Sequence, residues 1–250
     1  MRTDILDFHE FYASPLGVTA RLAVVSRLAE VWGDGKGLEI AGFGYADPYL
    51  EIFSAASRRF TLAPGGQGII RWPADGANAA CLAAEQEWPL PDACLDRLLI
   101  VHGLEEAPAP HRLMREVWRV LKDSGRVIIV ASHRRGLWSV IDTTPFAAGR
   151  PYLKRRLDVL LREAMFRPRY WDTALFFPPF RSKLLLKAAR TWERAGARVW
   201  PALGGVLMVE AEKDMLAPVG LVRPAGARVR RPTIAAPQPA RRNLARNRYS

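Results

Sequence analysis

The sequence predicts an α/β fold built on a mostly parallel sheet with helices on both faces. Two observations carry this expectation. From residue 37 onward, short apolar runs alternate with helical patterns, the rhythm of strand–helix–strand units. Several of the runs are continuous rather than alternating, as from Val127 to Val130, which suits strands buried on both faces.

Bulk properties agree. The 250 residues, 49% hydrophobic and 25% charged, suit one large α/β domain or two small ones. A chain of this length buries most of its apolar surface without staples. Cys81 and Cys94 form neither a CxxC nor a Cys/His spacing, so they read as small buried residues in a reduced compartment, with no zinc implied. No segment reaches the roughly 18 uninterrupted apolar residues of a membrane span. Met1 to Glu10 carries Asp4, Asp7 and Glu10, which suits neither a secretory signal nor a transit peptide. A cytoplasmic protein is expected. The net charge of +12 is concentrated at one end: eight arginines and no acidic residue follow Asp214. The remainder, at about +4, carries no strong nucleic-acid signature.

The elements follow in order. Residues 4–12 form a short amphipathic helix, and Ser14-Pro15 supplies an N-cap and N1 pair for a helix reaching about Trp32. Leu22, Val25, Leu28, Ala29 and Trp32 recur at helical spacing along it. Gly33, Gly35 and Gly37 then break the chain. Strands are expected at 37–41, 58–63, 95–101, 126–131, 171–177 and 205–211, with helices at 46–57, 109–121, 151–165 and 181–195. This divides the chain into N-terminal helices at 1–34, an α/β domain at 35–215 with a helical insertion at 180–200, and a tail at 216–250. The tail is rich in Pro, Ala and Arg without apolar periodicity, and it reads as disordered. It is the one part expected to attract nucleic acid or an acidic partner.

Two stretches carry the chemistry. Leu38-Glu39-Ile40-Ala41-Gly42-Phe43-Gly44-Tyr45-Ala46 leads from a strand into a helix, with glycines that let a ligand approach the backbone. A tight turn without a ligand would use the same residues. Further on, Trp88-Pro89-Leu90-Pro91-Asp92 precedes the strand Leu95–Val101 and His102-Gly103-Leu104-Glu105, and then comes Leu113 to Val127 with Arg119-Val120-Leu121-Lys122-Asp123-Ser124-Gly125-Arg126. In this helix Leu113, Val117, Val120 and Leu121 make one apolar face.

These motifs closely resemble the methyltransferase type 11 group of the class I S-adenosylmethionine-dependent methyltransferases, across roughly residues 35–177. The resemblance implies a Rossmann-like class I fold, S-adenosylmethionine as cofactor and a small-molecule methyl acceptor. It places the cofactor at the carboxyl ends of the first strands, lined by Glu39, Gly42, Phe43, Gly44 and Ala46, with Glu85 near the adenine edge. His102 would face the methyl group or acceptor as a proton acceptor, or serve as a hydrogen-bonded residue packed at the strand exit. Trp138, Arg150 and Tyr152, in a loop rich in cations and aromatics, would meet the acceptor. A bulky residue at Gly44 is expected to abolish cofactor binding and spare the fold.

Two departures from the group stand out. Ile40 occupies the place of the usual first-strand acid, with Glu39 one earlier, so a bulge would be needed to restore the register. The second strand ends in Ala63-Pro64-Gly65-Gly66 instead of an acidic residue, leaving Gln67 as the substitute partner for the ribose. An alternative therefore stands beside the enzyme: a methyltransferase-fold protein that has lost catalysis and acts as a binding or regulatory partner.

Overall fold

The computed structural model describes residues 2–141, 143–180, 182, 186 and 188–215, so the tail lies outside the described residues. Seven strands form one sheet in the order β3-β2-β1-β4-β5-β7-β6. They are β1 (Glu39–Gly44), β2 (Arg58–Pro64), β3 (Ala80–Ala83), β4 (Leu95–Val101), β5 (Leu121–Ser132), β6 (Phe166–Ala174) and β7 (Val206–Lys213). Strands β1 to β5 pair in parallel, and β7 runs antiparallel to both β5 and β6. The strand order reverses around β1, whose Gly42 pairs with Thr61 of β2 on one side and Leu99 of β4 on the other. The chain runs from β1 through β2 to β3 at one edge and then returns past β1 to β4, which opens a crevice at the carboxyl ends of β1 and β4.

Period-two alternation sorts the strand residues onto two faces. Ile40, Leu99, Val101, Ile128, Val130, Val206 and Met208 share a core with α1 (Ile5–Ala13), α2 (Pro15–Trp32) and α3 (Asp47–Leu50). Their neighbours Ala41, Phe43, Leu98, Ile100, Val127, Ile129, Leu207 and Val209 pack with α4 (Pro110–Val120) and α5 (Lys154–Glu163). Each fully buried aliphatic side chain contributes roughly 1.5–3 kcal/mol, so both faces are strongly specified. A last helix, α6 (Ala189–Val199), lies between β6 and β7. Among the described residues, no helix is long and apolar enough to cross a membrane.

Several expectations need correction. The helix expected at 46–57 stops at Leu50. The chain beyond it turns back to bond the 34–38 loop, through Gly37 N–H to Ala55 O and Ser57 N–H to Leu38 O. The buried face of α2 is Leu16, Ala20, Val24, Leu28 and Trp32, a strict four-residue row; Leu22 and Ala29 are exposed. Strand β3 was not anticipated, because an exposed four-residue edge strand has little apolar pattern. It carries Cys81, which is exposed rather than buried. Strand β6 starts five residues earlier than expected, its pattern masked by arginines on a half-exposed edge. In the insertion, the helix expected at 181–195 is seen as Ala189–Val199, and residues 181, 183–185 and 187 lie outside the described residues.

Candidate functional site at the carboxyl ends of the strands

The glycine stretch is the end of β1 itself. A Cβ on Gly42 would meet Ala46 Cβ at 2.6 Å and Leu50 Cδ1 at 3.0 Å, so this glycine lets α3 lie on the strand. Gly44 has φ +87°, and a Cβ there would collide with Val101 O. The next residue, Tyr45, donates its N–H to that same carbonyl at 2.8 Å. Gly42 is thus demanded by the side chains of Ala46 and Leu50, and Gly44 by the backbone of Val101 and Gly103. Phe43 points to the opposite face and stacks on Trp88 at 5.0 Å, while buried Ala46 opens α3.

Glu39 is not part of this crevice. It begins β1 at the amino end, where its N–H donates to Asp96 Oδ2 at 2.9 Å and Lys122 Nζ stands 3.9 Å from its carboxylate. The strand runs from 39 to 44 in unbroken register against β2 and β4, so no bulge carries an acid to the other end.

Gln67 and Glu85 do sit at the carboxyl ends of β2 and β3. Gln67 is 1% exposed, and its Nε2 donates to Gly44 O at 3.1 Å. Among the described residues, its Oε1 is buried without a hydrogen-bond partner, as is Glu85 Oε2. Two buried acceptors therefore await donors, and an adenosine offers ribose hydroxyls and an exocyclic amine.

His102 leaves β4 in the left-handed region, φ 52°, a conformation histidine tolerates better than most residues. It is buried among Phe8, Phe146 and Tyr12, with ring centroids at 4.8, 4.6 and 5.9 Å. Its Nε2 lies 2.7 Å from the Tyr12 hydroxyl, which lies 2.7 Å from the Tyr49 hydroxyl. Burial away from water pushes the imidazole down to about 3, so it is neutral throughout the physiological range. The same burial pushes Tyr12 and Tyr49 above the usual phenol range. The packed-residue alternative for His102 thus describes the chain in this fold.

The N-terminal segment makes these contacts to all four strand ends. Arg2 Nε donates to Glu85 Oε1 at 2.8 Å and its Nη2 to Gly103 O at 3.1 Å. Thr3 donates through N–H and hydroxyl to Glu106 Oε1, each at 2.9 Å. Ile5 N–H donates to Gln67 O at 2.8 Å, and Phe8 stacks on Tyr45 at 5.0 Å. Two cavities of about 650 and 640 Å³ lie elsewhere, one on the outer side of α1 and one beyond β5 and β6. Neither is lined by the glycine turn, Gln67, Glu85 or His102.

The expected acceptor residues are not gathered at one place. Trp138 is fully buried, donates its indole N–H to Phe177 O at 2.7 Å and packs edge-on to Phe146 and Phe177; it is core. Tyr152 is buried in the opposite core, where burial pushes its phenol up to about 12. Arg150 is exposed, and its backbone N–H donates to Glu105 O at 2.9 Å.

Two carboxyls escaped the sequence reasoning. Asp47, in the first turn of α3, is pushed up to about 6 by burial. Glu105 accepts the Ser132 N–H at 2.7 Å while its Oε2 is buried without a partner, and burial raises its carboxyl too. Asp47 follows the glycine turn directly, which was the available signal; Glu105 is recognisable only once β4 and β5 are paired.

Neither cavity reaches the groups that would suit an S-adenosylmethionine. The unpartnered acceptors suit its adenosine, and Arg2, Ile5 and Phe8 fill the ground between the strand ends.

A seven-stranded sheet in this order, with an antiparallel β7 beside β6, defines the class I methyltransferase fold. Residues 56–129 match the Methyltransferase domain family, type 11. Solved structures agree on the fold. An S-adenosylmethionine-dependent methyltransferase of Thermotoga maritima superposes with TM-score 0.56 at 13% identity, over 84% of this chain and 96% of that one. Comparable enzymes of Archaeoglobus fulgidus (TM-score 0.53, 17% identity, 83% and 98%) and Mesorhizobium loti (0.53, 14%, 75% and 96%) are also similar. No curated protein matches the sequence. The chain thus has the fold of the class I methyltransferases, and its match to the family model is confined to residues 56–129.

Proposed function

We propose that the chain is an S-adenosylmethionine-dependent methyltransferase acting in the cytoplasm on a small-molecule acceptor. The observation that carries this reading is the pair of buried, partnerless acceptors Gln67 Oε1 and Glu85 Oε2 at the strand ends where such sheets bind ligands. Gln67 and Glu85 would hold the adenosine, with the backbone of Gly44 and Tyr45 closing the floor. The bound sulfonium supplies an electrophilic methyl group. His102, once the Tyr12 hydroxyl withdraws from Nε2, presents a lone pair at the end of β4 for an acceptor proton. A charge of about +4 outside the arginine tail favours a small acceptor over nucleic acid.

A second reading has its own support. The end of β2 carries no carboxylate, and the crevice is filled. Both features favour a methyltransferase-fold protein that binds or regulates a partner without catalysis. Calorimetry with S-adenosylmethionine and S-adenosylhomocysteine, on the full chain and on a version ending at Met215, separates the two. Micromolar binding of both ligands to both chains is expected. Absence of binding by well-folded protein would transfer the assignment to the non-catalytic reading.

A further inference from the structure

We infer that the N-terminal segment Arg2–Ala13 is a latch that occupies the cofactor crevice of its own chain and must swing out before adenosine can enter. The inference rests on the cofactor reading above and concerns how that site is regulated.

The geometry is that of a reversible cover. The segment buries only one face, Ile5, Phe8 and Tyr12, while Leu6 is 66% exposed. Its polar hold on the strand ends consists of Arg2 on Glu85 and Gly103, Thr3 on Glu106, the Ile5 N–H on Gln67 O and Tyr12 on His102. Two of them fall on Glu85 and Gln67, the residues a nucleoside would use. Arg2 engages one oxygen of Glu85, leaving the other buried without a partner, and its own Nη1 is likewise unpartnered. The latch satisfies the crevice incompletely, so a better-matched donor set has something to gain by replacing it. A pivot is present. Ser14 is extended (ψ 154°) between α1 and α2, and its N–H and hydroxyl both return to Phe11 O. Rotation there would carry α1 away from the strand ends and release its close packing on Gly17 of α2. For a ligand that binds only the open form, apparent affinity scales with the open fraction.

A reversible lock tests this. A Cβ built on Gly68 stands 3.7 Å from Ile5 Cβ, within the span of a disulfide. In a full chain carrying Cys81→Ser and Cys94→Ala, the pair Ile5→Cys and Gly68→Cys locks the latch when oxidised and frees it when reduced. Any strain at the positive φ of Gly68 is common to both forms, so their difference reports the latch alone. Calorimetry with S-adenosylmethionine should find binding to the reduced form and at least about 30-fold weaker binding to the oxidised one. Equal affinity in both forms would overturn the latch and leave the cofactor reading standing. The double variant Arg2→Ala, Phe8→Ala loosens the segment and should bind about tenfold more tightly than the parent. Hydrogen exchange at Ile5–Tyr12 should quicken when ligand is added. Failure of both the reduced chain and the loosened variant to bind, with folding verified by circular dichroism, would overturn the cofactor reading and the latch with it.

Discussion

Asp47 and His102 lie just past the ends of adjacent strands, and burial moves them in opposite directions. Asp47 rises from 3.8 to about 6, so the folded state holds its proton more tightly than the unfolded state does. The burial cost is absent below about pH 4, grows through the interval and is complete above about pH 6. Asp47→Asn should therefore raise stability at pH 7.5 by up to about 3 kcal/mol and leave it nearly unchanged at pH 4, as read from urea melts at both values. His102 falls from 6.5 to about 3. Its contribution is complete above pH 6.5 and is lost towards pH 3, at up to about 1.4 kcal/mol per pH unit. His102→Asn, which tolerates the positive φ, should flatten that acid limb in a pH series of thermal melts. The two groups oppose each other between about pH 4 and 6, so the single variants are needed to resolve them. His102 was visible in the sequence as the residue leaving β4. Its neutrality was not, because its surroundings come from Phe8, Tyr12 and Phe146, all distant along the chain.

At the level of elements, the helix-to-strand run from Leu113 to Val127 was legible because its pattern is local. The Leu113, Val117 and Val120 stripe is buried as expected. Arg119 explains the preceding Trp88-Pro89-Leu90-Pro91-Asp92 turn: it donates to Trp88 O, Leu90 O and the Asp92 and Glu116 carboxylates. The glycine turn was located correctly but interpreted differently. Its geometry answers to Val101 and Gly103 of the neighbouring strand exit, so a substitution acts first on the sheet. Gly44→Ala should cost at least about 2 kcal/mol, from the left-handed backbone and the Cβ–carbonyl clash together. A Tm that falls before any ligand is added would support this; an unchanged Tm with lost binding would restore the ligand-centred view of Gly44. The short β3 and the early start of β6 were hidden, since edge strands carry charges and half-exposed residues that erase the period-two signal.

Across the whole molecule, the helices at 1–34 turn out to divide into two roles. Helix α2 covers the sheet through one four-residue row, whereas α1 and the preceding Arg2 together reach the ends of β1 to β4. The amphipathic pattern of residues 4–12 said that a helix would form and which side would be buried. It could not say against what. The same limit explains Trp138, Arg150 and Tyr152: an aromatic, cationic loop reads as a ligand surface, yet its two aromatics are consumed by opposite cores of the sheet.

Local patterning was enough to dictate the α/β class, the order of most strands and helices, and the crevice region around the glycine turn, because these depend on periodicity and on residues adjacent in the chain. Tertiary structure alone decided which groups meet there. It moved Glu39 to the far end of β1, brought Arg2 to Glu85 across 83 positions, and set Tyr12 on His102. Such contacts follow from strand register and helix docking, and a one-residue change in either redirects every side chain involved.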